Sequence, residues 1–254
     1  MSDSARQLFP RGLEQPEGGY RFSMDSLLLS CFCRIPKRAV GADLGTGCGV
    51  VGLGLLLRGE HDTADWQVDG VELNPDAARC ARENARLLGF ENRFTVHEED
   101  VSRFGQQNSK LAQALDFVVA NPPYRDPASG RVSKGEHRGD ARFEQRASFS
   151  DFCVCAARLL RSKGRFFVVH LAERLPDILQ DMRTARLEPK RMRLVHSRVD
   201  EPARMVLLEG VHNARPGFVA EAPLVVYEGH GPETAMTGAV LEFCPFLQCN
   251  AGGN

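Results

Sequence analysis

The sequence predicts an α/β protein built on a doubly wound, mainly parallel sheet with helices on both faces. Three observations lead there. From Ala39 onward short β-type runs alternate with helical patterns, the first run leads into a glycine-rich loop that opens a helix, and the second run ends on an acidic residue. In chain order the strand Ala39–Leu44 precedes the helix Val50–Leu57, and the strand Trp66–Glu72 precedes the helix Pro75–Leu88. Phe94–Glu98 and Leu115–Ala120 are further short apolar strands, and Phe149–Leu160 is the next helix. Gly164–His170 is another strand, Leu175–Ala185 a helix, and Arg191–Val195 with Met205–Val211 form two strands suited to a hairpin at the sheet edge. Ligands of such sheets sit beyond the carboxyl ends of the strands, so chemistry is expected in the loops that follow them.

This unit takes in residues 39–229. Residues 1–38 differ in kind: a polar Pro/Gly stretch, Gln15–Gly19, leads through Tyr20-Arg21-Phe22-Ser23 into a helix from Met24 to Cys33. They are expected to form an N-terminal extension, with Ser23 as the helix N-cap and Asp25 in the first turn, where a carboxylate complements the helix dipole. Residues 230–254 are expected to be a frayed C-terminal tail.

With 254 residues, 43% hydrophobic and 26% charged, the chain has enough apolar content for a core without staples. The balance of 32 Lys+Arg against 33 Asp+Glu excludes a wholesale electrostatic polyanion binder but leaves room for a local basic face. The longest apolar run, Val50 to Leu57, falls far short of the ~20 residues that span a bilayer, and no apolar segment follows Asp3 and Arg6. A cytoplasmic protein without a membrane segment is expected. The cysteines include the C-x-C pairs Cys31/Cys33 and Cys153/Cys155 and no C-x-x-C, so free thiols are expected and no metal site.

The loop Asp43-Leu44-Gly45-Thr46-Gly47-Cys48-Gly49 lies where glycines let the backbone pass close to a ligand. Alone, that pattern suits a tight turn as well as a nucleotide cradle. Glu72, closing the second strand, stands where a carboxylate accepts hydrogen bonds from ribose hydroxyls, so the cradle implies an adenosine moiety. A dinucleotide would set its pyrophosphate on the helix N-terminus under a third glycine, and that position is Val50. S-adenosylmethionine has no phosphate and carries a cationic sulfonium and an α-amino group, which the acidic Asp43 suits. The expected cofactor is therefore S-adenosylmethionine, held by Asp43, Gly45, Thr46, Gly47, Gly49 and Glu72, with Asn121 alongside.

The fourth strand ends in Asn121-Pro122-Pro123-Tyr124. Two prolines stiffen the loop, Asn121 offers an amide oxygen, Pro122 a carbonyl, and Tyr124 a flat ring. The set fits a planar amine: its two hydrogens are accepted by Asn121 and Pro122 while its ring stacks on Tyr124. Holding both hydrogens favours the pyramidal nitrogen, whose lone pair then points at an electrophilic methyl group, so orientation rather than a strong base does most of the catalysis. Asn121, Pro122 and Tyr124 are the expected catalytic residues, and Pro123 and Tyr124 face the substrate.

These motifs resemble the class I S-adenosylmethionine-dependent methyltransferases of the N-P-P-Y group, which methylate exocyclic amines of adenine or cytosine or a glutamine side-chain amide. The resemblance implies a Rossmann-like, seven-stranded methyltransferase sheet. It also implies that Asp100, after Glu98 and Glu99, bonds the adenine amine of the cofactor. The stretch Gln15–Leu29 and the later Pro202–Gly210 are similar to the bacterial tRNA1(Val) (adenine-N(6))-methyltransferase family. That likeness implies an RNA partner, a tRNA modified beside its anticodon. Methylation of protein glutamine, or of an amine in rRNA or DNA, stays open as an alternative.

Between Tyr124 and Phe149 the residues Arg125, Arg131, Lys134 and Arg138 lead a cationic stretch beside the expected site, suited to RNA phosphates. Its interspersed acids leave a solvated loop as an equal reading. A second cationic cluster, Arg186, Lys190, Arg191 and Arg193 with Arg198 and Arg204 beyond, either extends that face or is ordinary surface. His137, His170 and His196 show no base-and-nucleophile arrangement and receive no role.

Overall fold

The computed structural model describes residues 2–17, 23–107, 110–124 and 147–248. The cationic stretch with Arg125, Arg131, Lys134 and Arg138, and the segment Tyr20–Phe22, lie outside the described residues. The elements run α1 (Ser2–Leu8), α2 (Met24–Phe32), β1 (Arg38–Leu44), α3 (Val50–His61), β2 (Asp65–Glu72), α4 (Pro75–Leu88), β3 (Phe94–Glu98), α5 (Val101–Gln107) and β4 (Leu115–Ala120). They continue α6 (Phe149–Leu159), β5 (Leu160–Leu171), α7 (Leu175–Thr184), β6 (Leu187–His196), β7 (Ala203–His212), β8 (Val219–Ala220), β9 (Leu224–Val225), β10 (Tyr227–Glu228), β11 (Ala235–Met236) and α8 (Gly238–Phe243).

The seven long strands lie in the order β3-β2-β1-β4-β5-β7-β6, and the two-residue β8 and β9 pair with the outer edge of β6. The order reverses between β1 and β4, and β1 to β5 are parallel. β7 alone runs against its neighbours β5 and β6, because the short connection from His196 to Ala203 makes β6 and β7 a hairpin. β8 and β9 occupy part of an edge that would otherwise present unpaired backbone groups. The fold is thus the doubly wound, mainly parallel sheet that the sequence predicts.

Alternation along the strands sends side chains into two cores. On β4, Phe117 and Val119 join the layer under α2, α3 and α4, while Val118 and Ala120 join the layer under α5, α6 and α7. Local signals fix the helix ends. Asn74 accepts the backbone N–H groups of Asp76 and Ala77, Pro75 begins α4, and Gly89 closes it in a left-handed conformation at φ 72°. Ser148 and Asp151 form a reciprocal capping box at α6. Ser23 does hold the extended N-cap backbone of α2, without a side-chain cap bond.

Both ends of the chain belong to the core to a degree that the sequence did not lead us to expect. Phe9 and Leu13 are buried, and Arg6 Nε donates to the Leu88 carbonyl at 2.7 Å. Asn84 accepts Glu14 N–H at 2.7 Å and donates to the Glu14 carbonyl at 2.9 Å. The expectation of a frayed tail is corrected for residues 230–248. Val240, Cys244 and Leu247 are buried, Phe246 meets the Phe9 ring edge-on at 4.9 Å, and Thr237 caps α8 while donating to the Val225 carbonyl at 2.7 Å. Among the described residues, no helix is long and apolar enough to cross a membrane.

Candidate active site

The parallel register sets Leu44 opposite Val71 on one side and Ala120 on the other, and Glu72 opposite Glu98. Four strands therefore end in one row. The glycine loop, Glu72, the Glu98–Asp100 turn and Asn121 share that edge, at the place where strand order reverses.

The glycine loop is drawn against β2 by two hydrogen bonds, Gly45 N–H and Thr46 N–H to the Val71 carbonyl at 2.8 and 3.0 Å. Gly45, Gly47 and Gly49 take left-handed φ values of 68°, 57° and 90°, which any other residue would adopt only with strain. Gly47 N–H donates to Glu72 Oε2 at 2.8 Å, and Asn74 N–H to Glu72 Oε1 at 2.8 Å. Each Glu72 oxygen keeps a second lone pair for a ligand. A Cβ on Gly47 would meet nothing within 4 Å, so that position requires glycine for its backbone angle and leaves the space above it open.

Asp43 is 1% exposed; its Oδ2 accepts Thr46 Oγ1–H at 2.6 Å and Gly52 N–H at 3.0 Å. Its Oδ1 is buried with no hydrogen-bond partner among the described residues. Leaving such an atom unmet costs about 1–3 kcal/mol, which a ligand N–H or positive charge removes on binding. Burial lifts the Asp43 carboxyl to about 6, with the Glu72 charge adding to the lift and the two donated hydrogen bonds opposing it. Across the row, Glu98 is engaged with Arg82 at 2.6 Å, whereas Asp100 caps α5 by accepting Ser102 N–H at 2.7 Å.

Asn121 and Tyr124 meet each other and two residues of α2. Asn121 Nδ2 donates to Ser26 Oγ at 3.0 Å, and the Tyr124 hydroxyl lies 2.7 Å from Asp25 Oδ2 and 3.1 Å from Asn121 Oδ1. Pro122 is buried and Pro123 exposed. The Tyr124 ring rests on the His170 ring at 5.2 Å, and Phe149 stands edge-on to His170 at 5.5 Å. Burial, and then the Arg174 charge, push His170 down to about 4. Its Nδ1 accepts the Leu171 N–H at 2.8 Å, so the neutral ring carries its proton on Nε2. His170 thus braces Tyr124 as an uncharged plate.

Sequence reasoning missed Asp25, Ser26 and His170 as members of this cluster. A signal for the first two was present: they are polar residues in the otherwise apolar helix of Leu27, Leu28 and Leu29, and both are buried. Four members of the second cationic cluster are engaged within the protein, while Arg186 and Arg204 are exposed. Arg191 is buried, bonded to Glu209 at 2.7 Å and to the Phe32 carbonyl at 2.8 Å, with its guanidinium 3.8 Å from the Phe32 ring centre. Arg193 donates to the Ala222 carbonyl and stacks on Phe243, Lys190 donates to the Arg215 carbonyl, and Arg198 to that of Gly229. These cations hold the β6–β9 edge together. Among the described residues, no group of three His, Cys, Asp or Glu is placed to hold a metal ion.

The model of the methyltransferase small domain matches residues 24–182. A relative from Actinobacillus succinogenes, named tRNA1(Val) (adenine(37)-N6)-methyltransferase, is 35% identical over 149 residues, 59% of this chain and 60% of that protein. One of the same name from Photorhabdus laumondii is 30% identical over 145 residues, 57% of this chain and 56% of that protein. The chain thus spans less than two thirds of the length of these curated relatives. Among solved structures, a predicted O-methyltransferase from Agrobacterium tumefaciens superposes with a TM-score of 0.67 at 22% identity, covering 87% of this chain and 95% of its own. A putative RNA methyltransferase from Pyrococcus horikoshii does so with a TM-score of 0.56 at 21% identity, covering 79% and 94%. These two share the fold.

Proposed function

The chain belongs to the methyltransferase small domain family, and from that premise we propose that it transfers a methyl group from S-adenosylmethionine to the N6 amine of an adenine in tRNA, beside the anticodon. The observation that carries the proposal is the cluster at the end of β4, where the amide of Asn121 and the ring of Tyr124 stand in the same row of strand ends as the glycine cradle. The relatives named for adenine-N6 methylation of tRNA support the choice of substrate.

The cradle fits the cofactor. The buried Asp43 Oδ1 lacks a donor that an α-amino group carries, the space above Gly47 is open, and the Glu72 oxygens keep lone pairs for ribose hydroxyls. Asp43, Gly45, Thr46, Gly47, Gly49 and Glu72 would hold it, with Asp100 on the adenine side. When bound, S-adenosylmethionine supplies a methyl group on a sulfonium, an electrophile for a neutral amine.

On the acceptor side, Asn121 Oδ1 and the Pro122 carbonyl take the two hydrogens of the target amine. That contact strengthens as the nitrogen turns pyramidal, so it favours the transition state over the ground state. Tyr124, backed by the neutral His170, gives an unstacked adenine a flat surface worth roughly 1–3 kcal/mol. Arg125, Arg131, Lys134 and Arg138 bind tRNA phosphates. Residues 39–229 form the catalytic unit, completed by Asp25 and Ser26 from the preceding helix, and the reaction belongs in the cytoplasm. The test is transfer of labelled methyl with bulk unmodified tRNA or protein as acceptor. Label in tRNA adenine supports the reading; label in protein glutamine, or in neither, overturns it.

A further inference from the structure

A phenol has one proton, and the Tyr124 hydroxyl has two acceptors within reach: Asp25 Oδ2 at 2.7 Å and Asn121 Oδ1 at 3.1 Å. The nearer acceptor is a carboxylate, and a charge-assisted hydrogen bond is roughly twice as strong as a neutral one. Asp25 is only 9% exposed, so little water screens the bond. The phenol therefore donates to Asp25. Next to it, Ser26 accepts the Asn121 Nδ2–H at 3.0 Å, which fixes the end of the amide that carries oxygen.

We propose that Asp25 is a positioning residue for methyl transfer: its carboxylate accepts the hydrogen bond of the Tyr124 O–H and so leaves Asn121 Oδ1 to accept the target amine. The inference rests on the amine-clamp reading of Asn121. A carbonyl oxygen already accepting a phenol proton is a crowded and weakened acceptor for a second hydrogen. Without Asp25 the phenol still faces Asn121 Oδ1 at 3.1 Å, and donating there blocks the clamp from inside the protein. Consecutive residues of α2 thereby set both ends of one amide: Ser26 its orientation, Asp25 the availability of its oxygen. The helix that carries them is anchored by Leu27, Leu28 and Leu29, all buried in the core.

The test compares wild type, Asp25→Ala, Tyr124→Phe and the double variant Asp25→Ala/Tyr124→Phe. With saturating cofactor and tRNA, Asp25→Ala is expected to lose about tenfold in kcat with little change in KM for tRNA. The double variant is expected to turn over at the rate of Tyr124→Phe alone, because removing the phenol removes the competitor. A merely structural Asp25 gives losses that accumulate in the double variant, and that result overturns the proposal. Asp25→Asn, which keeps a carbonyl at the same place, is expected to lose less than Asp25→Ala and guards against an unfolded alanine variant. A second readout needs neither cofactor nor RNA: the side-chain amide signals of Asn121 in nitrogen-15 NMR of the free protein. They are expected to shift in Asp25→Ala and return in the double variant; no shift contradicts the proton assignment. If wild type methylates no adenine while the NMR pattern holds, the proposed function fails and the proton assignment stands.

Discussion

The two sides of the site are built in different ways. The cofactor cradle is local: Asp43, the glycine loop and Glu72 come from the ends of adjacent strands β1 and β2, and backbone N–H groups donate five of the six hydrogen bonds described for it. The acceptor side is assembled from afar, with Asn121 bonded to Ser26 across 95 residues of chain and Tyr124 to Asp25 across 99. A cradle of backbone can be reached only through residues that set its shape or its charge. A clamp of side chains fails one group at a time, so damage there should separate turnover from binding.

The largest effect is expected at Asn121. Replacing Asn121 with alanine removes an acceptor that works mainly in the transition state, so kcat should fall by roughly 10²–10³-fold. Affinity for S-adenosylhomocysteine, measured by calorimetry, should stay near the wild-type value; a parallel loss of affinity would merge the two sides of the site into one. On the cradle side, Glu72→Ala should weaken cofactor binding by roughly 1–3 kcal/mol, the range for hydroxyl partners left unmet in a buried site. An unchanged affinity with an intact fold would remove the ribose assignment.

Tyr124 should behave as a surface more than as a hydroxyl. Tyr124→Ala should lose roughly 1–3 kcal/mol of base binding along with rate, and Tyr124→Phe should lose less of both. Equal damage in the two variants would give the hydroxyl the main role.

Asp43 supplies a smaller, pH-dependent effect. Its folded value of about 6 lies above the ordinary 3.8, so its protonated form is favoured in the folded protein. The stability it contributes to the ligand-free chain is fully present below about pH 4 and is lost as pH rises through about 6. Cofactor affinity should run the other way, rising as Asp43 ionises to meet the cationic ligand. Calorimetry across that window, with Asp43→Asn as the variant that flattens the curve, measures both. The smallest effect concerns the cationic stretch: replacing Arg131, Lys134 and Arg138 with alanine should reduce the salt dependence of RNA binding without altering cofactor affinity.

The local character of the cradle is also why the sequence revealed it. Glycine spacing after a strand and an acid at the next strand end are short-range signals, and the strands β1 to β7 follow from short apolar runs of ordinary length. The two-residue strands β8 and β9 are too short to form such a run. The tail was misjudged for a different reason: its polar and glycine residues outweighed Val240, Cys244 and Leu247, which are buried where the tail packs on β9 and on the distant α2. At Asp25 the helix-dipole reading was locally sufficient and hid the contact with Tyr124. Arg191 shows the same limit. A charge count along the chain treats it as surface, yet β6 turns it toward α2, where the Phe32 carbonyl and Glu209 meet it.

Adenine methylation through this clamp is tested most directly by exposing bulk unmodified tRNA to cofactor and either wild type or Asn121→Ala, digesting the tRNA, and identifying the nucleosides by mass and retention. Wild type should yield N6-methyladenosine, and Asn121→Ala should yield almost none while still binding S-adenosylhomocysteine. No methylated adenosine from wild type, or a wild-type rate from Asn121→Ala, would contradict the account.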